Sequence, residues 1–194
     1  MNVERWREVL NRYDEKLKPH CKNILAANTP YSEEIPEPPD TLLKTAASEA
    51  EIIDLEKRLG VPLPFSYKEF LRVSNGMNLL DLNQHLLPAS EVDWVKNSIP
   101  WILPEEEQDP IADEHYFVYG SEQDCINVRL EYLHKCIAIS TEQDGFAYLL
   151  NPCIQSEGEW EAWDHGWKYP GAFRYQSFWG LFNELYSGLE DRIA

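Results

Sequence analysis

Residues 48–76 read SEAEIIDLEKRLGVPLPFSYKEFLRVSNG. Ser48 followed by Glu51 has the form of a capping box, in which each side chain satisfies a backbone N–H that the first helical turn leaves free. Ile52, Leu55 and Leu59 recur at the period of a buried helical stripe, with Ile53 beside it. Gly60 stands where a left-handed residue ends a helix, and Pro62 follows as a stop. Pro64 then sets the first turn of a second helix. Tyr67, Phe70, Leu71 and Ser74 share one face of it, and Asn75-Gly76 closes it because both residues tolerate positive φ.

Upstream, Val3, Trp6, Leu10, Tyr13 and Leu17 step by three and four, which predicts an amphipathic helix over 2–18 interrupted at Pro19. Cys21, Ile24 and Leu25 can line a short second helix. Pro30, Pro36, Pro38 and Pro39 make 28–40 an extended connector, since proline fixes φ and cannot donate to a ladder. Downstream of residue 80 the period changes. His85-Leu86-Leu87-Pro88 suggests a short strand, 89–97 a short helix capped by Ser90, and 98–114 a proline-broken acidic surface loop. Segments 116–119, 125–130, 136–140, 146–150 and 159–164 are β-branched or aromatic and are separated by polar turns such as Gln143-Asp144-Gly145, the pattern of successive strands. Short connections favour antiparallel pairing. A last helix over 176–187 carries Phe178, Leu181, Phe182, Leu185 and Tyr186 on its inner face. Helices, then strands, then one helix is the order of an α+β fold with a largely antiparallel sheet. The expected organisation is an N-terminal helical extension and connector at 1–45 packed on a main domain at 46–194.

The charge narrows the function. Thirty-four acids face 17 Lys and Arg, a net of −17 over 194 residues. Such a field repels a phosphate backbone and an anionic membrane surface, so neither nucleic acid nor membrane is an expected partner. It steers a basic protein inward. The first twenty residues are charged throughout with no apolar run behind them, so no secretory signal is expected, and no stretch approaches the ~20 apolar residues of a membrane span. Cys21, Cys125, Cys136 and Cys153 form no C-x-x-C pair and are expected to be reduced, small hydrophobes in a cytoplasmic chain.

Catalytic signatures are missing. The sequence has no G-x-S-x-G elbow, P-loop, dinucleotide fingerprint or H-E-x-x-H. No two of His20, His85, His115, His134 and His165 share a helix face at ligand spacing. The neighbours Asp113-Glu114-His115 and Asp164-His165 point to opposite sides of a strand. No catalytic residue, metal or cofactor is therefore expected. One stretch is unusual: Glu159-Trp160-Glu161-Ala162-Trp163-Asp164. Its two tryptophans, three apart in a strand, face opposite ways. If one is core, the other is either covered by a neighbouring element or exposed as an anchor rimmed by Glu159, Glu161 and Asp164, with Trp167 close behind.

The series Leu55-Glu56-Lys57-Arg58-Leu59-Gly60, Leu63-Pro64, Tyr67, Phe70-Leu71 and Asn75-Gly76 resembles the opening of the SMI1/KNR4 family (SUKH superfamily). Leu86-Leu87-Pro88-Ala89-Ser90-Glu91-Val92, Ile137-Ala138-Ile139-Ser140 with Asp144-Gly145, and Ser177-Phe178 continue it, from about residue 46 to residue 187. The resemblance implies a sheet with helices packed on it and a scaffold role for Gly60, Leu63, Pro64, Tyr67, Phe70, Asn75 and Gly76. It implies no shared catalytic constellation. Bacterial members serve as immunity proteins that neutralise polymorphic toxins, many of them basic nucleases; fungal members regulate cell-wall glucan synthesis through protein contacts. The expected function is thus an immunity-type protein that binds a basic toxin domain, with a regulatory scaffold as the alternative and a small-ligand binder or hydrolase behind it. The candidate contact residues are Glu105, Glu106, Glu107 and Asp109 for steering, and Glu159, Trp160, Glu161, Trp163, Asp164 and Trp167 for anchoring.

Overall fold

The apolar stripe near the N-terminus folds as α1 (Val3–Leu17), capped by Asn2, whose side chain accepts from Arg5 N at 2.9 Å. Trp6, Leu10, Tyr13 and Leu17 are all buried along it. A turn at Lys18–His20 leads into α2 (Cys21–Asn28). The computed structural model describes residues 2–29, 34–35, 37–78, 84–105, 108–166 and 171–193. Pro30 and Pro36 of the connector lie outside that set. The connector returns to α1 at Asp14, whose carboxylate accepts from Leu42 N at 2.6 Å and Thr41 Oγ1 at 3.1 Å.

The capping box forms as read. Ser48 N donates to Glu51 Oε2 at 2.8 Å and Glu51 N donates to Ser48 Oγ at 3.3 Å, opening α3 (Glu49–Leu59). Gly60 ends it at φ +74°. Pro64 sits at the N-cap of α4 (Phe65–Leu71), one position before the first helical turn. At the close of this segment Asn75 Oδ1 accepts from Ala89 N at 2.7 Å, and Gly76 adopts φ +86°. The chain then crosses so close to Leu86 that a Cβ on Gly76 would lie 2.6 Å from the Leu86 carbonyl oxygen. Gly76 is thus required twice, by its dihedral and by the approach.

Five strands follow in the order β1-β2-β3-β4-β5, every neighbouring pair antiparallel. They are β1 (Asp93–Trp94), then, after α5 (Val95–Ser98) and α6 (Asp113–Tyr116), β2 (Ile137–Ala138), β3 (Ala147–Ser156), β4 (Glu159–Gly166) and β5 (Gly171–Tyr175). Single bridges, Leu43 to Met77, Met77 to Leu86 and Leu86 to Ser140, carry the sheet's edge toward the helices. β3 and β4 are joined by Glu157-Gly158, both at positive φ, the conformation a two-residue hairpin turn demands. Pro152 falls where the β3–β4 register shifts between Asn151 and Gln155, a place where a missing donor does no harm. Ser177 starts α7 (Phe178–Ile193), accepting from Gly180 N at 3.1 Å.

Alternation along the strands builds two apolar layers. Ile137, Ile139, Tyr148, Leu150, Trp160 and Ala162 face α1, α3, α4 and α7. There Trp6 is ringed by Phe70, Phe178, Trp179 and Phe182 at centroid distances of 5.5, 5.5, 4.8 and 5.1 Å. Ala138, Ala147, Leu149, Trp163 and Ala172 face the other way, under Val95 of α5, Leu133 of the 3-10 turn Leu130–Lys135, and Ile99 and Val128 from the chain beside them.

Several expected elements differ. Segment 116–119 is not a strand: its carbonyls at Tyr116 and Val118 accept from the Arg174 guanidinium instead of a ladder partner. Segment 125–130 is turn and coil before the 3-10 turn, with Asn127 N bonded to Asp124 O at 3.0 Å. The helix expected over 89–97 is a turn, the two-residue β1 and the short α5, and Ser90 caps nothing. The 85–88 strand contracts to the single bridging residue Leu86. β5 is an element that the sequence reading does not contain. Its alternation is hidden because the core-facing position after Ala172 is an arginine.

Gly60→Ala meets nothing within 4 Å, whereas Gly76→Ala meets backbone. We expect Gly60→Ala to lower unfolding free energy by about 1–2 kcal/mol and Gly76→Ala by about 3 kcal/mol or more in urea titrations. Equal losses would show that the close approach at Leu86 is not tight.

Candidate partner-binding surface

The two tryptophans of β4 do face opposite ways, and both are inside: Trp160 is 4% exposed in the helical layer and Trp163 is fully buried in the other. The second face is covered, so neither is a surface anchor. Glu161 is also buried, at 1% exposure. Glu159 is half-buried and turned toward α4, where its carboxylate accepts from Ser66 N at 2.9 Å and Ser66 Oγ at 2.6 Å; it acts as that helix's cap in place of the proline. Asp164 is half-buried. Trp167, Glu106 and Glu107 lie outside the described residues. Glu105 and Asp109 are exposed on the loop between α5 and α6. Of the scaffold residues, Leu63, Tyr67 and Phe70 are buried in the helical core.

Glu161 sits at the centre of a buried polar network. Its Oε2 accepts from Tyr116 OH at 2.5 Å, Trp163 Nε1 at 2.6 Å and Asn151 Nδ2 at 2.9 Å; its Oε1 accepts from Tyr119 OH at 2.8 Å. Arg174 Nη1 lies 3.6 Å from Oε1, and both side chains are wholly buried. The guanidinium stacks 4.3 Å from the Tyr116 ring centroid and also donates to the carbonyls of Tyr116 and Val118. On the far side of Tyr116, Arg129 lies 4.5 Å from the ring centroid and donates to Ile111 O at 3.1 and 2.7 Å and to the Asp113 carboxylate. Two arginines therefore clamp residues 111–119 onto the sheet. Burial and the neighbouring Glu161 carboxylate push both tyrosine hydroxyls far above their ordinary range, so they act as fixed donors.

The described residues line three clefts of note. One of about 170 Å³ lies between Phe117, Tyr119 and Gln176, with Glu161 at its base. One of about 270 Å³ lies between Trp94, Lys96, Lys135 and Cys153. The widest, about 420 Å³, is walled by Trp101, Ile102, Leu103, Leu130 and His165, with Glu105 at its mouth. Trp101, at 64% exposure, stands out furthest among the exposed large apolar side chains of the described residues. The acidic loop is tied down beyond the cleft, where Leu130 N donates to Gln108 Oε1 at 3.2 Å. His165 is 5% exposed, and its Nδ1 has no hydrogen-bond partner among the described residues. Burial lowers its pKa to about 4, so the imidazole is neutral at physiological pH.

Trp101 lies within the stretch that proline and acid content mark as loop, and a tryptophan heading an acid run is the signal that such composition masks. Arg174 and Tyr116 leave no comparable trace, because nothing in the sequence pairs them with Glu161. Among the described residues no three His, Cys, Asp or Glu side chains gather where they could hold a metal ion, and no helix is long and apolar enough to cross a membrane.

The model of the SMI1 / KNR4 family (SUKH-1) matches residues 46–184. A protein of Bacillus subtilis (strain 168), named as the uncharacterized protein YnaB, is 53% identical over 38 residues, which is 20% of this chain and 26% of that protein. The matched stretch spans about a quarter of that relative's length.

Removing one member of a buried ion pair leaves the other charge uncompensated, at a cost of about 3–5 kcal/mol. Glu161→Gln and Arg174→Met are each expected to lose that much in urea unfolding, and the double variant less than their sum. Additive losses would mean that the two groups are not coupled. His165 supplies a pH test. Its folded pKa, about 4, lies below the ordinary 6.5, so its stabilising contribution is complete above pH 6.5 and is lost as pH falls from 6.5 toward 4. The expected loss over that window is about 3 kcal/mol. A His165→Gln variant should show a correspondingly flatter profile, and an unchanged slope would mean that His165 is solvated.

Proposed function

Because the chain belongs to the SMI1/KNR4 family (SUKH-1), we propose that it is a non-catalytic protein-binding module of the immunity type, which captures and neutralises a basic toxin domain inside the cell. Domains of this family typically bind protein partners and are generally not enzymes. The observation that carries the reading here is Trp101, 64% exposed at the head of an acidic loop, in a chain of net charge −17. An exposed tryptophan with carboxylates close behind it in the chain is an interface anchor with its own steering field.

The toxin class follows from complementarity. A nuclease holds a polyanion and must present a basic face. An acidic surface meets that face, accelerates encounter and occupies the ground the nucleic acid would take. Glu105 and Asp109 are the described carboxylates of this loop, and the sequence adds Glu106 and Glu107 between them. Their role is steering. Anchoring belongs to Trp101 rather than to the tryptophans of β4.

The test begins with the genes that flank this one: any that encodes a basic toxin domain is co-expressed with this chain, and relief of toxicity is the expected result. In stopped-flow association with that domain, the double reversal Glu105→Lys/Asp109→Lys should slow binding about tenfold or more at low salt. The difference should shrink at high salt as screening removes steering. An association rate unchanged at both salts would remove the steering role. Continued toxicity in the presence of a folded, abundant chain would remove the immunity reading.

A further inference from the structure

The wide cleft beside Trp101 has a chemistry that can be read from its walls. Ile102, Leu103, Leu130 and Trp101 make it apolar, and about 420 Å³ falls within the roughly 300–1,000 Å³ of clefts that take ligands. His165 closes one side and carries no charge at physiological pH. Glu105, at the mouth, is the one group among the described lining residues that is ionised. The interior therefore favours an apolar body, and the rim favours a cation within a few ångströms of it. Among the described lining residues no cation competes for Glu105.

A second observation points to an occupant. His165 Nδ1 is enclosed and unpartnered among the described residues, although buried polar atoms in native proteins are nearly always bonded. It sits on β4 between Ala147 and Ala172, whose methyl groups offer it nothing. A segment seated in the cleft brings backbone donors and acceptors to that wall. The frame is also fixed. Gln108 bonds to Leu130, and Arg129 bonds to Ile111 and Asp113, so the loop beyond Glu105 is anchored to the wall that carries Leu130.

We propose that this cleft is the specificity pocket of the protein interface and that it takes a large apolar side chain adjacent in sequence to an arginine or lysine of the partner. The apolar side chain lies against Trp101 and Leu130, and the neighbouring cation meets Glu105. The inference rests on the reading of the chain as a protein-binding module, but it stands or falls separately from the identity of the toxin, since short peptides test it.

The probes are N-acetyl-Phe-Arg-amide, N-acetyl-Phe-Glu-amide and N-acetyl-Gly-Arg-amide, titrated into the full chain to millimolar concentration. The His165 Cε1–H resonance and the Leu130 and Gly171 amides report occupancy by NMR. The Phe-Arg peptide should shift all three saturably, and the other two peptides should shift them far less. Trp101→Ala should abolish the effect. Glu105→Gln should weaken Phe-Arg binding about threefold, as an exposed charge pair does, and should bring Phe-Glu closer to it. Both substituted side chains are exposed, so the variants keep the fold, and unchanged amide resonances of the helical core verify that. Equal binding of Phe-Glu and Phe-Arg, saturation that leaves His165 unmoved, or no saturable shift with any peptide would each overturn the proposal. None of those results bears on whether the whole chain neutralises a toxin. Loss of neutralisation with intact peptide binding would overturn the immunity reading and leave the pocket standing.

Discussion

The buried Glu161–Arg174 pair is the constraint on which the second face of the sheet depends. A carboxylate and a guanidinium with no solvent access are unfavourable unless most of their lone pairs and protons find partners. Four donors meet the carboxylate, and two main-chain carbonyls with a tyrosine ring meet the guanidinium, whose Nε alone has no hydrogen-bond partner among the described residues. Those partners come from β3, β4, β5 and residues 116–119, which are distant in sequence. The pair adds little net stability over an apolar substitute of equal size, but it admits one arrangement of the chain above it. A residue run that would otherwise pair as a strand becomes a strap over the sheet, because Arg174 has taken its carbonyls.

This placement shapes the electrostatics of the surface. The chain has 17 Lys and Arg against 34 acids, and several of those cations face inward. Arg174 is enclosed. Arg129 is held against Tyr116. Arg58 donates to the carbonyls of Val92 and Ala89 at 2.5 and 2.6 Å, and Arg72 pairs with Glu49 and Glu69. Arg174, Arg129 and Arg72 are each matched by a carboxylate, so these fasteners leave the net charge of −17 to the rest of the surface. The acidic loop and Trp101 project from a frame fastened in this way.

The helical half was legible because its signals are local. The capping box at Ser48 and Glu51, the left-handed Gly60, the proline before α4 and the 3.6-residue stripes of α1 and α7 each act within a few residues. The antiparallel order and the opposite facing of Trp160 and Trp163 were legible for the same reason, through alternation and short turns. The segment at 116–119 was not, because its strand-like composition is overridden by an arginine nearly sixty residues later, and the segment at 125–130 was not, because it turns locally at Asp124–Asn127 and runs into a 3-10 turn. β5 was obscured by that same arginine at a core position. The surface anchor was misplaced for a related cause: a tryptophan between glutamates resembles a rimmed hot spot, yet Glu161 turns inward to a partner that only the fold supplies. Trp101, which does stand in solvent, sits in a stretch whose composition gives no element to place it on.

Native-state hydrogen exchange by NMR tests the frame most directly. If the Glu161–Arg174 network holds the strap on the sheet, the amides of Tyr116 and Phe117 in the strap and of Gln123 just beyond it, each bonded to a carbonyl three or four residues back, should exchange as slowly as that of Trp163 in β4 and respond to denaturant with the same steep slope, opening only when the molecule unfolds. Exchange of those three amides at loop-like rates, while Trp163 stays protected, would show that the strap opens by itself and that the buried pair does not fix it.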